Sequence, residues 1–255
     1  TDSVSFCFSC RSSGSTSKAR SAASTQSRHD VRSRTVWSPS CPGNTMPRAE
    51  AILSKTIFDT AKAKGLSTAA FHWPETVEDK SIDFNLVTRA KAGEPGRAVV
   101  QNAFVEELNR AGIPLNAYQM MRREGGLGLV GDAITTAAAC YTIKTHKPNL
   151  LAIHISNTDH EQHDYGPTHY LAQAALTKAD YNVGQLMRAV QEAGIADSTT
   201  FFVGADHGFT SVFDEINIRP YFAEAGLESK VRFYEGGWAP FIRLTSEFNA
   251  ATDKA

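Results

Sequence analysis

Two short clusters carry the residue types that bind metals. The first is Asp159-His160-Glu161-Gln162-His163-Asp164-Tyr165-Gly166-Pro167, and the second is Asp206-His207-Gly208. Carboxylate oxygens and imidazole nitrogens are usual ligands of zinc, and catalytic zinc sites commonly use three protein groups and keep one position open. Two neighbouring clusters point to two metals, and paired metals stabilise the attacking and leaving oxygens of an in-line phosphoryl displacement. Asp159, His163, Asp206 and His207 are therefore the candidate metal ligands. A competing reading makes Asp159 a helix cap, His163 a surface turn residue and Asp206-His207-Gly208 an ordinary polar turn. It serves for either cluster alone and serves badly for both at once.

Each cluster follows a short apolar run that reads as a buried strand, Leu150 to Ser156 before the first and Thr199 to Ala205 before the second. Between them, Thr168 to Gly194 carries Leu171, Ala175, Ala179, Val183, Leu186, Met187 and Val190 at helical spacing. Strand, crossover helix and strand make a parallel pair with a right-handed crossover. Ligands of open parallel sheets bind outside the carboxyl ends of the strands. Both clusters are expected there, with an Asp at the end of each strand.

The pattern Asp159-x-x-x-His163-x-Tyr165-Gly166-Pro167, followed by Asp206-His207-Gly208, resembles the type I phosphodiesterase/nucleotide pyrophosphatase family of the alkaline phosphatase superfamily. The likeness extends to Thr56 through Gly65, His72-Trp73-Pro74 and Ile216 to Leu227, and spans about residues 43 to 245. It implies an α/β, alkaline-phosphatase-like fold with a mostly parallel central sheet and helices on both faces. It also implies a hydrolase of phosphodiester or pyrophosphate bonds in nucleotides or small organophosphates, with one zinc on Asp159 and His163 and a second on Asp206 and His207. The same bimetal core serves phosphomonoesterases, phosphonate hydrolases and sulfatases.

The family nucleophile is a Thr or Ser upstream of a Gly-Asn turn that helps bind the phosphoryl group. Gly43-Asn44 is the candidate turn, which makes Asn44 the candidate substrate-binding residue. Counting back reaches Ser24 or Thr25, which lack the following Pro and the apolar strand of the motif, so the nucleophile is unassigned. A further metal-binding Asp on an N-terminal strand is also unassigned, since neither Asp2 nor Asp30 follows a strand-like run. In the family the first zinc takes another His well beyond the Asp-His-Gly motif, and no histidine follows His207 here. The chain is therefore expected to bind one metal more readily than two and to turn over little, as a catalytically incomplete fragment would.

With 255 residues, 42% hydrophobic, and 26 basic against 27 acidic side chains, the chain has the length for a sizeable core. The charge balance gives no bulk attraction for a nucleic-acid polymer, and no apolar run reaches the length of a membrane span. The expected partner is a small-molecule phosphate ester. Residues 1–49 contain no Leu, Ile or Glu and hold three of the four cysteines. Residues 1–45 read as a Ser/Arg-rich segment, disordered or foreign to the family, and 46–255 as a partial catalytic domain. The chain starts at Thr1 without a Met, and its opening lacks the apolar core of a signal peptide. Cys7 and Cys10 form a lone C-x-x-C, Cys41 adjoins Pro42, and Cys140 lies in an apolar helical run as a packed thiol. This supports neither a disulfide scaffold nor a compartment.

The remaining elements follow from periodicity. Thr56 to Lys64 reads as an amphipathic helix with Gly65 as C-cap, and Ser67 to Phe71 as a strand entering His72-Trp73-Pro74, with His72 a structural residue hydrogen-bonded near Trp73. Pro95 to Gly112 reads as a helix, Glu124 to Gly128 as a loop, and another helix starts at about Asp132. Asn217 to Gly226 reads as a short helix, and Val231 to Tyr234 and Phe241 to Leu244 as strands. Asp180, inside the crossover helix, is expected to cap or pair locally.

Overall fold

The computed structural model describes residues 5–6, 48–90, 97–115, 128–211, 214, 216–234 and 241–245. They fall into two compact units, one ending at Phe209 and one made of the described residues from Thr210 onward.

The first unit is built on β2 (Thr68–Phe71), which pairs in parallel with β3 (Phe84–Leu86) on one side and β6 (Leu150–Ile153) on the other. Every residue of β2 is buried, as befits a parallel strand covered on both faces. Its side chains alternate. Ala69 and Phe71, with Leu151 and Ile153 of β6, enter the main core. Ala70 stands beside Ala152 in the register, and both join a smaller cluster with Phe58 and Ile82 on the opposite face.

Helices cover both faces. Phe58 comes from α2 (Ile57–Ala63), which starts with a capping box: the Thr56 hydroxyl accepts from the Asp59 N–H, and the Asp59 carboxylate accepts from the Thr56 N–H at 2.8 Å. Lys64 is its C-cap, and Gly65, at φ +74°, turns the chain away. The main core receives Phe104, Val105 and Leu108 of α3 (Ala103–Arg110), with Ile134, Ala138, Ala139 and Ile143 of α4 (Gly128–His146). The crossover helix, α6 (Tyr170–Glu192), packs along α4 and adds Leu186, Ala189 and Val190. Cys140 sits half-buried against this core, and burial pushes its thiol up to about 11. Asp180 lies on the exposed side of α6.

Several boundaries differ from the sequence reading. The expected helix Pro95 to Gly112 is only α3. Before it, β5 (Arg97–Val99) pairs antiparallel with β4 (Thr88–Ala90), because β-branched Val99 and Val100 suit a strand and Asn102, in extended conformation, caps a helix starting at Ala103. Helix α4 begins ahead of Asp132, since Val130 already packs on the core. Strand β7 is only Thr200–Phe201, and Phe202 and Val203 are exposed.

The expected direct pairing of the two site-bearing strands is also corrected. Among the described residues β7 pairs in parallel with β1 (Ser5–Phe6), and β1 also lies against β6. The crossover helix, 23 residues long, therefore links strands that are not hydrogen-bonded neighbours. Apart from β1, residues 1–47 lie outside the described set, which covers the candidates Asn44, Ser24 and Thr25, Cys7, Cys10 and Cys41, and the boundary placed at 45.

In the second unit, β8 (Val231–Tyr234) and β9 (Phe241–Leu244) form an antiparallel pair, at the positions read from the sequence. Helix α7 (Arg219–Glu224) is shorter than Asn217 to Gly226 because the Asn217 side chain accepts from the Arg219 N–H at 3.1 Å and Pro220 fixes the first turn. Phe222 meets Phe233 edge to face at 5.1 Å. No helix among the described residues is long and apolar enough to cross a membrane.

Candidate metal centre

After Ile153 the chain turns through His154, Ile155 and Ser156 into α5 (Asn157–Tyr165), which Gly166 ends at φ +85° before Pro167. Asp159 therefore stands in the first turn of a helix rather than at a strand end. The displacement has a local cause. The carboxylate of Asp132, on α4, accepts from the Ser156 N–H at 3.1 Å and from the Asn157 N–H at 3.0 Å, so the polar run after β6 starts a helix at once. An acidic residue in the first turn also suits the helix dipole. The spacing of Asp159 and His163 is then one helical turn, which puts both side chains on one face.

Asp206 and His207 arrive from the other side, in the segment after β7. His163 Nε2 lies 3.4 Å from Asp159 Oδ1, and His207 Nε2 lies 3.8 Å from the same oxygen. His207 Nε2 is also 3.8 Å from Asp206 Oδ2. The four sequence-read candidates are thus brought together as a chain of facing pairs, His163 to Asp159 to His207 to Asp206. Among the described residues no group of three or more His, Cys, Asp or Glu side chains is arranged to hold a metal ion.

The cluster has an inner and an outer half. The Asp159 and His163 side chains keep 4% and 10% of their exposure, while Asp206 and His207 keep 28% and 30%. Phe209 packs its ring edge to face against both imidazoles, at 4.9 Å from His163 and 5.3 Å from His207. Nδ1 of His207 lies 3.1 Å from the Gly208 carbonyl, which can only accept, so Nδ1–H donates there and Nε2 is the nitrogen turned toward the carboxylates. That Nε2 is buried without a hydrogen-bond partner and faces two carboxylates. An imidazole nitrogen and two carboxylates are donor types that suit a cation. With zinc–ligand bonds of about 2.0–2.2 Å, tetrahedral donors stand about 3.4 Å apart, which is the separation of His163 and Asp159, while the two pairs of His207 are wider at 3.8 Å.

His72 and His154 stack at 5.6 Å at the ends of β2 and β6, both buried, and the His72 N–H donates to the Leu86 carbonyl at 2.7 Å. The His72 main chain is held by the sheet and its ring stacks on His154. The sequence reading missed Asp132 and Phe209. Phe209 lies two residues past His207, where an aromatic beside a ligand run was the available signal. Nothing in the sequence linked Asp132 to a helix that starts on the far side of β6. Elsewhere, an open depression lined by Glu107, Arg110, Ala111 and Tyr141 holds polar groups already engaged with one another.

A parallel sheet with carboxylates and imidazoles gathered beyond its strand ends is what an α/β hydrolase of phosphate esters requires. The family model described as type I phosphodiesterase/nucleotide pyrophosphatase matches residues 16–255, and the chain belongs to that family. The family is alkaline-phosphatase-like in fold, hydrolytic toward phosphodiester or pyrophosphate bonds, and generally metal-dependent. The match begins within the Ser/Arg-rich opening, ahead of the residues that carried the sequence resemblance.

Proposed function

We propose that the chain hydrolyses phosphodiester or pyrophosphate bonds of nucleotides or related small organophosphates at a two-zinc centre, with Asp159 and His163 holding one ion and Asp206 and His207 the other. The observation that carries this reading is the meeting of α5 and the post-β7 segment through His207 Nε2 and Asp159 Oδ1 at 3.8 Å. Zinc bound there would supply Lewis-acid polarisation of the phosphoryl oxygens.

The chain's own residues divide the other tasks. Asp159 and His163, almost wholly buried on one helix face, provide the inner pair of donors. Asp206 and His207, more exposed, line the side from which an ester would approach. Phe209 holds both imidazole planes and keeps water from their flank. The contact with the Gly208 carbonyl fixes the His207 tautomer, so that Nε2 is the ligating nitrogen. Asn44 is the proposed donor to the phosphoryl oxygen, and we assign no nucleophile.

Assays of the purified chain against bis-p-nitrophenyl phosphate, p-nitrophenyl phosphate and a sulfate ester, with and without zinc, test this reading. Slow zinc-dependent diester hydrolysis that disappears in Asp206→Ala is the expected result. Preference for the monoester or the sulfate would move the chain to a neighbouring activity of the superfamily, and zinc binding without hydrolysis of any ester would make it a binding protein only.

A further inference from the structure

We infer that Asp132 is a positioning residue for the metal ligands of α5. It sets where the helix begins, and so where Asp159 and His163 point. The inference rests on reading those two residues as ligands.

The first N–H groups of a helix have no partner inside it and must be satisfied from elsewhere. Most helices supply an Ncap side chain, but Ser156, at that position in α5, makes no such bond. Solvent is excluded as well: Asn157 is 1% exposed, and both polar atoms of its side chain are buried without a hydrogen-bond partner. Asp132 fills the role from another helix. It is 5% exposed, and its two oxygens accept separately from the Ser156 N–H at 3.1 Å and the Asn157 N–H at 3.0 Å. Two bonds from one rigid carboxylate fix both the position and the rotation of the helix start. Asp159 is the third residue of that helix, and its Oδ1 is the atom facing both His163 and His207. A helix rotated by a fraction of a residue would carry Oδ1 away from both imidazoles. The platform is firm, since α4 is anchored in the main core by Ile134, Ala138, Ala139 and Ile143.

The two backbone donors need two acceptor oxygens. Asp132→Asn leaves one acceptor and turns an N–H₂ toward the other backbone N–H, while Asp132→Ser removes the reach altogether. The test is titration of the full chain with Co(II), followed through its visible absorption, and with zinc by calorimetry. Both are done well below the thermal midpoint, with His163→Ala as a ligand control and Leu108→Ala as a core control that lowers stability without touching α5. We expect about tenfold or greater loss of metal affinity in Asp132→Asn and Asp132→Ser, with an altered Co(II) spectrum, and unchanged affinity and spectrum in Leu108→Ala.

If either folded Asp132 variant binds like the parent while His163→Ala does not, the positioning role is wrong and the ligand reading stands. If Leu108→Ala weakens binding equally, the effect is general destabilisation and the inference fails. If both Asp132 variants fail to fold while Leu108→Ala folds, Asp132 is a folding determinant and the inference also fails. If parent and His163→Ala bind metal alike, the ligand reading itself fails and takes the inference with it.

Discussion

Nε2 of His207 faces Oδ1 of Asp159 across 3.8 Å, although one follows strand β7 and the other stands in the first turn of helix α5. Their meeting is the tightest link between the two clusters. Removing either partner should therefore weaken the whole centre rather than one half. In His207→Ala and Asp159→Asn, zinc retained after dialysis, measured by elemental analysis, should fall well below the parent, with affinity lower by more than about tenfold. Parent-level zinc in both variants would mean that these residues do not hold the metal.

The crossover helix offers a stability test. Leu186 and Met187 are adjacent, and both belong to the apolar pattern read from the sequence, yet Leu186 is fully buried in the main core while Met187 is 46% exposed. Leu186→Ala should cost about 2–5 kcal/mol in urea unfolding, because it removes transfer energy and leaves a cavity. Met187→Ala should stay within about 0.5 kcal/mol of the parent. Equal losses would show that the packing of α6 is not as described.

That pair also marks how far the sequence was legible. Strand–helix–strand order and the four ligand-type residues follow from periodicity and residue type, because apolar spacing of 3.6 or 2 is a local signal, while helices on both faces came with the family resemblance. Leu186 and Met187 cannot be separated locally, since which edge of an apolar stripe meets the core depends on how the helix is rotated against its neighbours. Asp159 was placed at a strand end for the same reason: the acceptor that starts α5 ahead of it, Asp132, lies on another helix. The pairing of β7 was misplaced because β1 comes from a segment with no apolar periodicity to announce a strand. Long-range contacts decided each of these.

Acid stability should be set in part by Glu107. Its carboxyl is held below the ordinary value chiefly by the hydrogen bond with His146 Nε2, at 2.6 Å, helped by the Tyr141 hydroxyl at 3.0 Å and opposed by partial burial. Asp59 is lowered as well, first by the Thr56 N–H and then by the Thr56 hydroxyl and Arg48. For a carboxyl whose folded pKa lies below the unfolded one, the stabilisation is complete above the unfolded value. It is lost as pH falls through the folded value. The urea midpoint of the parent should therefore drop below pH of about 4.3, the usual Glu value, and Glu107→Gln should drop less steeply over the same range. Parallel acid limbs in the two proteins would remove Glu107 from the account.

The number of metals is the sharpest test of the centre. A catalytic zinc commonly takes three protein ligands, so two independent sites call for about six donors. The described residues gather four, as two pairs linked through Asp159 and His207. The donors at the two ends differ in burial: His163 is fixed inside, while Asp206 is more exposed. One ion should bind tightly at Asp206 and His207, where the Asp159 carboxylate also faces the imidazole, and a second should bind more weakly at Asp159 and His163. Titration with zinc should show a first equivalent that survives extended dialysis and a second that is removed by it. His207→Ala should abolish the tight step, because that residue touches both carboxylates. Asp206→Ala should weaken the tight step while leaving Asp159 and His163 facing each other. Two equally tight equivalents in the parent would refute this, and would mean that residues outside the described set complete two full ligand shells.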